Sequence, residues 1–221
     1  MKQISLGLFV ILIGLFGCYH KDAPSKKSDY ELDSLDYIVI SSAIEQYFFH
    51  PNTLLHRFEC SFDSLAGLDR AIKREDIKEL LIIDSTINYA DSISKFVIKE
   101  HIKIDSSDIQ LTEKIIELNS KRYEIDNSKI TSFKTQLISP SELKILLDSM
   151  FYFGYDKLYD KYPDTYGIIS LSKPAFNKDM NKAIIFISLN KGPKYGHGGY
   201  LWLKKLNNRW IAYDLVFLWV S

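Results

Sequence analysis

Any chemistry in this chain would centre on one short stretch, Gly196-His197-Gly198-Gly199, flanked by Tyr195, Tyr200 and Trp202. Imidazole is the side chain whose ordinary pKa suits proton transfer near neutral pH. His197 would serve as a general base if Asp164 or Asp179 came within hydrogen-bond reach to orient it. The glycines would let backbone N–H groups close on an anion. The stretch lacks the Gly-Lys-Ser/Thr ending of a phosphate loop, and it is expected to join two strands instead of a strand and a helix. Tyr195, His197, Tyr200 and Trp202 are therefore the candidate ligand-binding set, and no residue is assigned a catalytic role. His50 and His56 stand six residues apart with Pro51 between them, which is not a metal-ligand spacing. No metal or cofactor is expected. Asp84 closes an aliphatic run as a carboxylate does in several phosphoryl-transfer folds. The second carboxylate that such sites need is replaced by Thr86, so Asp84-Ser85-Thr86 reads as a turn.

Cys18 points to a different chemistry. Lys2 precedes an apolar run from Leu6 to Phe16, which is too short for a bilayer span of ~20 residues. The run closes on Leu15-Phe16-Gly17-Cys18, which resembles the bacterial lipobox, although Phe16 is bulkier than that position usually holds. The resemblance implies that Cys18 is acylated and that residues 1–17 are a removed signal peptide. A plain secretory signal or an uncleaved anchor is the other reading. Several acyl chains, each methylene worth ~0.8 kcal/mol, would hold the protein on a membrane. Residues 18–35 are polar and read as a flexible tether. No Asp follows Cys18, which favours the outer membrane over inner-membrane retention. Lys21-Asp22 resembles the charged tag of surface lipoproteins, so the periplasmic and surface faces both stay open. With Cys18 committed to lipid, Cys60 has no disulfide partner and reads as a small buried hydrophobe.

The elements that would position these groups read as follows. The 221 residues are 46% hydrophobic, enough for a real core in one domain over residues 36–221. Basic and acidic residues number 28 each, without the basic excess of a nucleic-acid binder. Asp36–Phe49 is a helix with Tyr37, Ile40, Ile44, Tyr47 and Phe48 on one face and Ser41, Ser42, Glu45 and Gln46 opposite. Leu80–Ile83 could be the end of a helix or a buried strand. Ile93–Ile98 and Ile130–Ile138 read as strands. Asp108 caps a helix through about Ser120. Ser139-Pro140-Ser141-Glu142 is a helix start, with Leu143, Leu146, Leu147 and Met150 as its buried stripe and Gly154 as a break. Strands are expected at Tyr166–Ser172, Ala183–Leu189, Tyr200–Leu206 and Arg209–Trp219. Pro174–Asn181 reads as a connector, Asn190–Gly199 as a loop, and Asn207-Asn208 as a hairpin turn. The expected fold is α+β: N-terminal helices on a C-terminal antiparallel sheet of three to four strands, curved like a cone.

The pattern Tyr162-Pro163-Asp164-Thr165-Tyr166-Gly167-Ile168-Ile169-Ser170, Phe176-Asn177-Lys178-Asp179, Gly199-Tyr200, Asn208-Arg209-Trp210 and Leu218-Trp219-Val220-Ser221 resembles a group of uncharacterised lipoproteins of Bacteroidota. It spans roughly residues 140–221. The resemblance implies a fold and an envelope location and brings no activity. The functional expectation is a membrane-anchored, non-enzymatic binding or interaction module. It would be held by its N-terminal lipid and take a small ligand, peptide or protein partner, with no role for nucleic acid. The alternative is a cell-envelope hydrolase using His197 with a nearby carboxylate.

Overall fold

The computed structural model describes residues 31–49, 73–87, 106–147 and 153–220. The expectations for Cys18, the signal, most of the tether, His50, His56, Cys60, Ile93–Ile98 and Met150 lie outside these residues. Among the described residues no helix is long and apolar enough to cross a membrane.

The first helix, α1, spans Ser34–Phe49 and starts two residues before the sequence expectation. Asp33 and Asp36 cap it reciprocally. The Asp36 N–H donates to Asp33 Oδ1 and the Asp33 N–H to Asp36 Oδ2, both at 2.9 Å. Tyr37, Ile40, Ile44, Tyr47 and Phe48 are buried as expected, but so are Ser41 and Gln46, from the polar face. Gln46 is buried against the strand that begins at Arg209, and Ser41 because α1 is covered on a second side by the chain around residues 123–133. There the Asp126 N–H donates to Tyr37 Oη (2.8 Å) and the Thr131 N–H to Ser41 Oγ (3.1 Å).

The sheet is larger than expected and mixed. It holds seven strands: β1 Glu79–Ile83, β2 Thr135–Ile138, β3 Thr165–Leu171, β4 Ala175–Phe176, β5 Lys182–Gly192, β6 Tyr195–Leu206 and β7 Arg209–Val220. Their order is β2-β1-β3-β5-β6-β7, with β4 paired to β5. β1 runs parallel to β2 and β3, and the other pairs are antiparallel. The expectation of three to four antiparallel strands is thus corrected by two strands from the half read as helical cover. Leu80-Leu81-Ile82 settles as a strand because it is buried on both faces. Leu80 and Ile82 join the core under α1, while Leu81 joins a second core on the other face.

Helices cover the face away from α1. The second helix, α2, spans Ser106–Leu118 and places Leu111 and Ile115 on Ile184, Phe186, Tyr200 and Trp202. The third and fourth, α3 (Pro140–Leu147) and α4 (Phe153–Lys161), pack on Leu81, Ile138 and Ile168. Ser139 caps α3 through its Oγ, which accepts from the Glu142 N–H at 3.1 Å. Leu143, Leu146 and Leu147 are only half-buried there. Gly154 lets α4 approach α3, since a Cβ on it would lie 2.7 Å from Leu147 Cα.

The largest local correction concerns Asn190–Gly199. It is not a loop: β5 continues to Gly192, Pro193-Lys194 turns, and β6 starts at Tyr195. No glycine among the described residues has positive φ. Gly198 and Gly199 are small because β7 crowds them. A Cβ on Gly198 would lie 2.7 Å from Trp219 Nε1, and one on Gly199 would lie 2.2 Å from Val216 O. Opposite β6, β7 carries one extra residue at Leu218 and one at Tyr213. Such bulges bend a strand. Asn207 (φ 47°) and Asn208 (φ 61°) form the expected tight turn between β6 and β7.

Candidate functional site

A cleft of about 630 Å³ lies between α1 and the start of β7, lined by Ile38, Ser42, Glu45 and Gln46 on one side and Asn208–Ala212 on the other. β7 is the last strand in the sheet order, so its outer backbone groups have no neighbouring strand among the described residues. Gln46 takes the place of one. Its Nε2 donates to Trp210 O and its Oε1 accepts from the Ala212 N–H, both at 2.6 Å. A side-chain amide has the donor and acceptor needed to mimic a peptide group, and this one closes the open edge near its start. Ile38 and Ile211 flank that contact and are 52% and 37% exposed. Glu45 on the rim pairs with Arg74 at 2.7 Å. Arg74 in turn donates to Ser132 O and lies over the Phe133 ring, which fixes the carboxylate beside the cleft.

The cleft chemistry is therefore an apolar pair, a strand edge, an acid already paired and the cation of Arg209. That suits binding of an amphipathic group. Sequence reasoning missed it because Gln46 reads as a solvated helix residue. The usable signal was Ile38, an isoleucine off the buried stripe of α1.

The four residues selected from the sequence do not line one wall. Alternation along β6 sends Tyr195 and His197 toward α1's face and Tyr200 and Trp202 toward α2's face. Tyr200 and Trp202 are core residues, 1% and 2% exposed. The Trp202 indole N–H finds no hydrogen-bond partner among the described residues. Tyr195 is 72% exposed beside the β5–β6 turn.

His197 is built into the contact between α1 and β6. Its Nδ1 lies 2.5 Å from Tyr47 Oη, which also lies 3.1 Å from His197 O. Its ring meets Phe217 edge-on. Burial, helped by the charge of Lys191, pulls the imidazole down to about 4. Burial also pushes the Tyr47 phenol well above its ordinary value. The carboxylates considered as orienting partners are engaged or placed elsewhere. Asp164 pairs with Lys78 at 3.1 Å. Asp179 lies in the β4–β5 turn, while His197 is level with Leu189 toward the other end of β5.

A buried ion pair sets the start of α1. Lys173 Nζ lies 2.6 Å from Asp36 Oδ2 and over the Tyr123 ring. Burial raises the Asp36 pKa, and the Lys173 hydrogen bond partly offsets that rise. Asn119 holds the Lys173 backbone in both directions, accepting from its N–H at 2.7 Å and donating to its carbonyl at 3.0 Å. These contacts fix α1, and with it Gln46 and Ile38, against the sheet. Among the described residues no group of three His, Cys, Asp or Glu side chains could hold a metal ion.

No family model, curated protein or solved structure matches the chain.

Proposed function

We propose that this chain is a membrane-anchored envelope module that binds a ligand or partner in the cleft between α1 and β7. The observation that carries this reading is the arrangement of Ile38, Gln46 and Ile211 around the outer edge of β7. Apolar surface supplies affinity without direction, and the strand edge and Arg209 supply direction. The lipobox-like Leu15–Cys18 supports the anchor, and the ligand would be a peptide or a small molecule with an apolar body. His197 enters this reading as a structural residue that holds α1 on β6.

Photo-crosslinking tests it. A benzophenone-bearing residue replaces Ile38 or Ile211 in the full chain in cells, with Ile109 on α2 and Ile145 on α3 as exposed controls, 49% and 74% accessible. A discrete adduct from the cleft positions alone is the expected result. Adducts of equal yield from all four positions, or none from the cleft positions, would overturn the reading.

A further inference from the structure

The sheet end that carries the β6–β7 turn has a surface of its own. Cross-strand partners point to the same side of a sheet. The register therefore puts Lys182, Lys204 and Ile211 in one row and Leu206 and Arg209 in the next, all on the face that α2 covers further along. α2 packs over Ile184, Phe186, Tyr200 and Trp202. Beyond that cover Lys204, Leu206, Arg209 and Ile211 are exposed. The β4–β5 turn joins this end, because the Lys205 N–H donates to Asn181 O at 2.7 Å. It contributes Met180, so three apolar tips stand out together: Met180 at 43%, Leu206 at 49% and Ile211 at 37% exposed.

The charge around them is one-sided. Lys178, Lys182, Lys204 and Arg209, with Lys205 reaching the same end from the sheet's other face, meet Asp179 alone within these turns and strand ends, in a chain whose totals balance at 28 and 28. Among the described residues Lys178, Lys204, Lys205 and Arg209 enter no ion pair. A dry protein interface would have to strip water from each of these cations. The headgroup layer of an anionic bilayer would not. Apolar tips enter it, while long basic side chains stay among the phosphates.

We propose that this end of the sheet docks on the surface of an anionic lipid bilayer, with Met180, Leu206 and Ile211 in the headgroup layer and Lys204, Lys205 and Arg209 on its phosphates. The cleft touches Arg209 and Ile211 across the edge of β7, so it would open at the membrane boundary. The docking rests on the envelope reading only for which membrane is met, and the contact itself needs no acyl group.

The test is co-sedimentation of the full chain carrying Cys18→Ser with vesicles of phosphatidylcholine, alone or mixed with phosphatidylglycerol. Binding should favour the mixed vesicles, weaken as salt rises, and fall on the order of a hundredfold in K204Q/K205Q/R209Q. Leu206→Ser should weaken it at constant charge. Circular dichroism checks that each variant folds, and the salt titration of the parent chain decides the matter if one does not. Equal binding to both vesicle types, or full binding by the triple variant, would overturn the proposal. Capture of a soluble polyanion without vesicle binding would also overturn it. Acyl labelling of the natural chain at Cys18 is read separately, so a failed anchor and a failed docking surface give different results.

Discussion

His197 shows how a residue type that suggests catalysis can be fixed by its surroundings. Its Nδ1 meets the Tyr47 phenol, and burial holds the imidazole down to about 4 from an ordinary 6.5. The sign of the pH effect follows. Between those values the unfolded chain takes up a proton that the folded chain refuses, so stability drops as the pH is lowered through that window. The loss should reach no more than about 3 kcal/mol. His197→Gln keeps a polar group at the site and removes the titration. Urea midpoints at pH 7 and pH 5 should diverge for the parent chain and stay closer together for the variant. Parallel behaviour would assign the pH dependence to other groups. Glu142, which the hydrogen bonds from Lys161 and Tyr162 hold below its ordinary value, titrates in a more acidic range and is common to both chains.

At the scale of elements, the glycines of β6 decide how closely β7 can lie. Gly199 has backbone where its Cβ would go, 2.2 Å from Val216 O, whereas Gly192 would meet only the Tyr195 ring at 3.7 Å. Gly199→Ala should therefore cost at least about 2 kcal/mol, and Gly192→Ala should stay within about 0.5 kcal/mol. Denaturant unfolding of the two variants checks this. Equal tolerance would mean that β7 can move off β6 at no cost. The same glycines explain what the sequence hid. Glycine serves turns and crowded strands alike, so Gly192–Gly199 reads as a loop until the neighbouring strand is known. Leu80–Ile83 is equally silent, because its parallel partners lie more than fifty residues downstream, at Thr135–Ile138 and Thr165–Leu171. Signals confined to a few residues were legible: Ser139 as a cap, Asn207-Asn208 as a turn, and Ala183–Leu189 as a strand buried on both sides. The cleft was not, because it joins Ile38 and Gln46 to a strand that begins at Arg209.

At the scale of the molecule, β5 links the two faces. Ile185 and Ile187 pack toward α1, and Ile184 and Phe186 pack toward α2. One backbone carries both sets, so exposing either face pulls apart the hydrogen bonds that support the other, and the described residues should unfold as one unit. The tryptophans can read this. Trp210 belongs to the core under α1 and Trp202 to the core under α2. A W202F/W219F chain reports from the first and a W210F/W219F chain from the second. In urea each reporter should follow the same transition as its own chain's far-ultraviolet circular dichroism. An earlier transition at Trp202 would show that α2 and its face separate first, with α1 and β7 still in place. The distinction matters for binding, because the cleft and the basic end both rest on β7. In a single unit, a ligand or bilayer held at β7 stabilises both reporters by the same mass-action term. In two units it would protect Trp210 and leave Trp202 to melt as before.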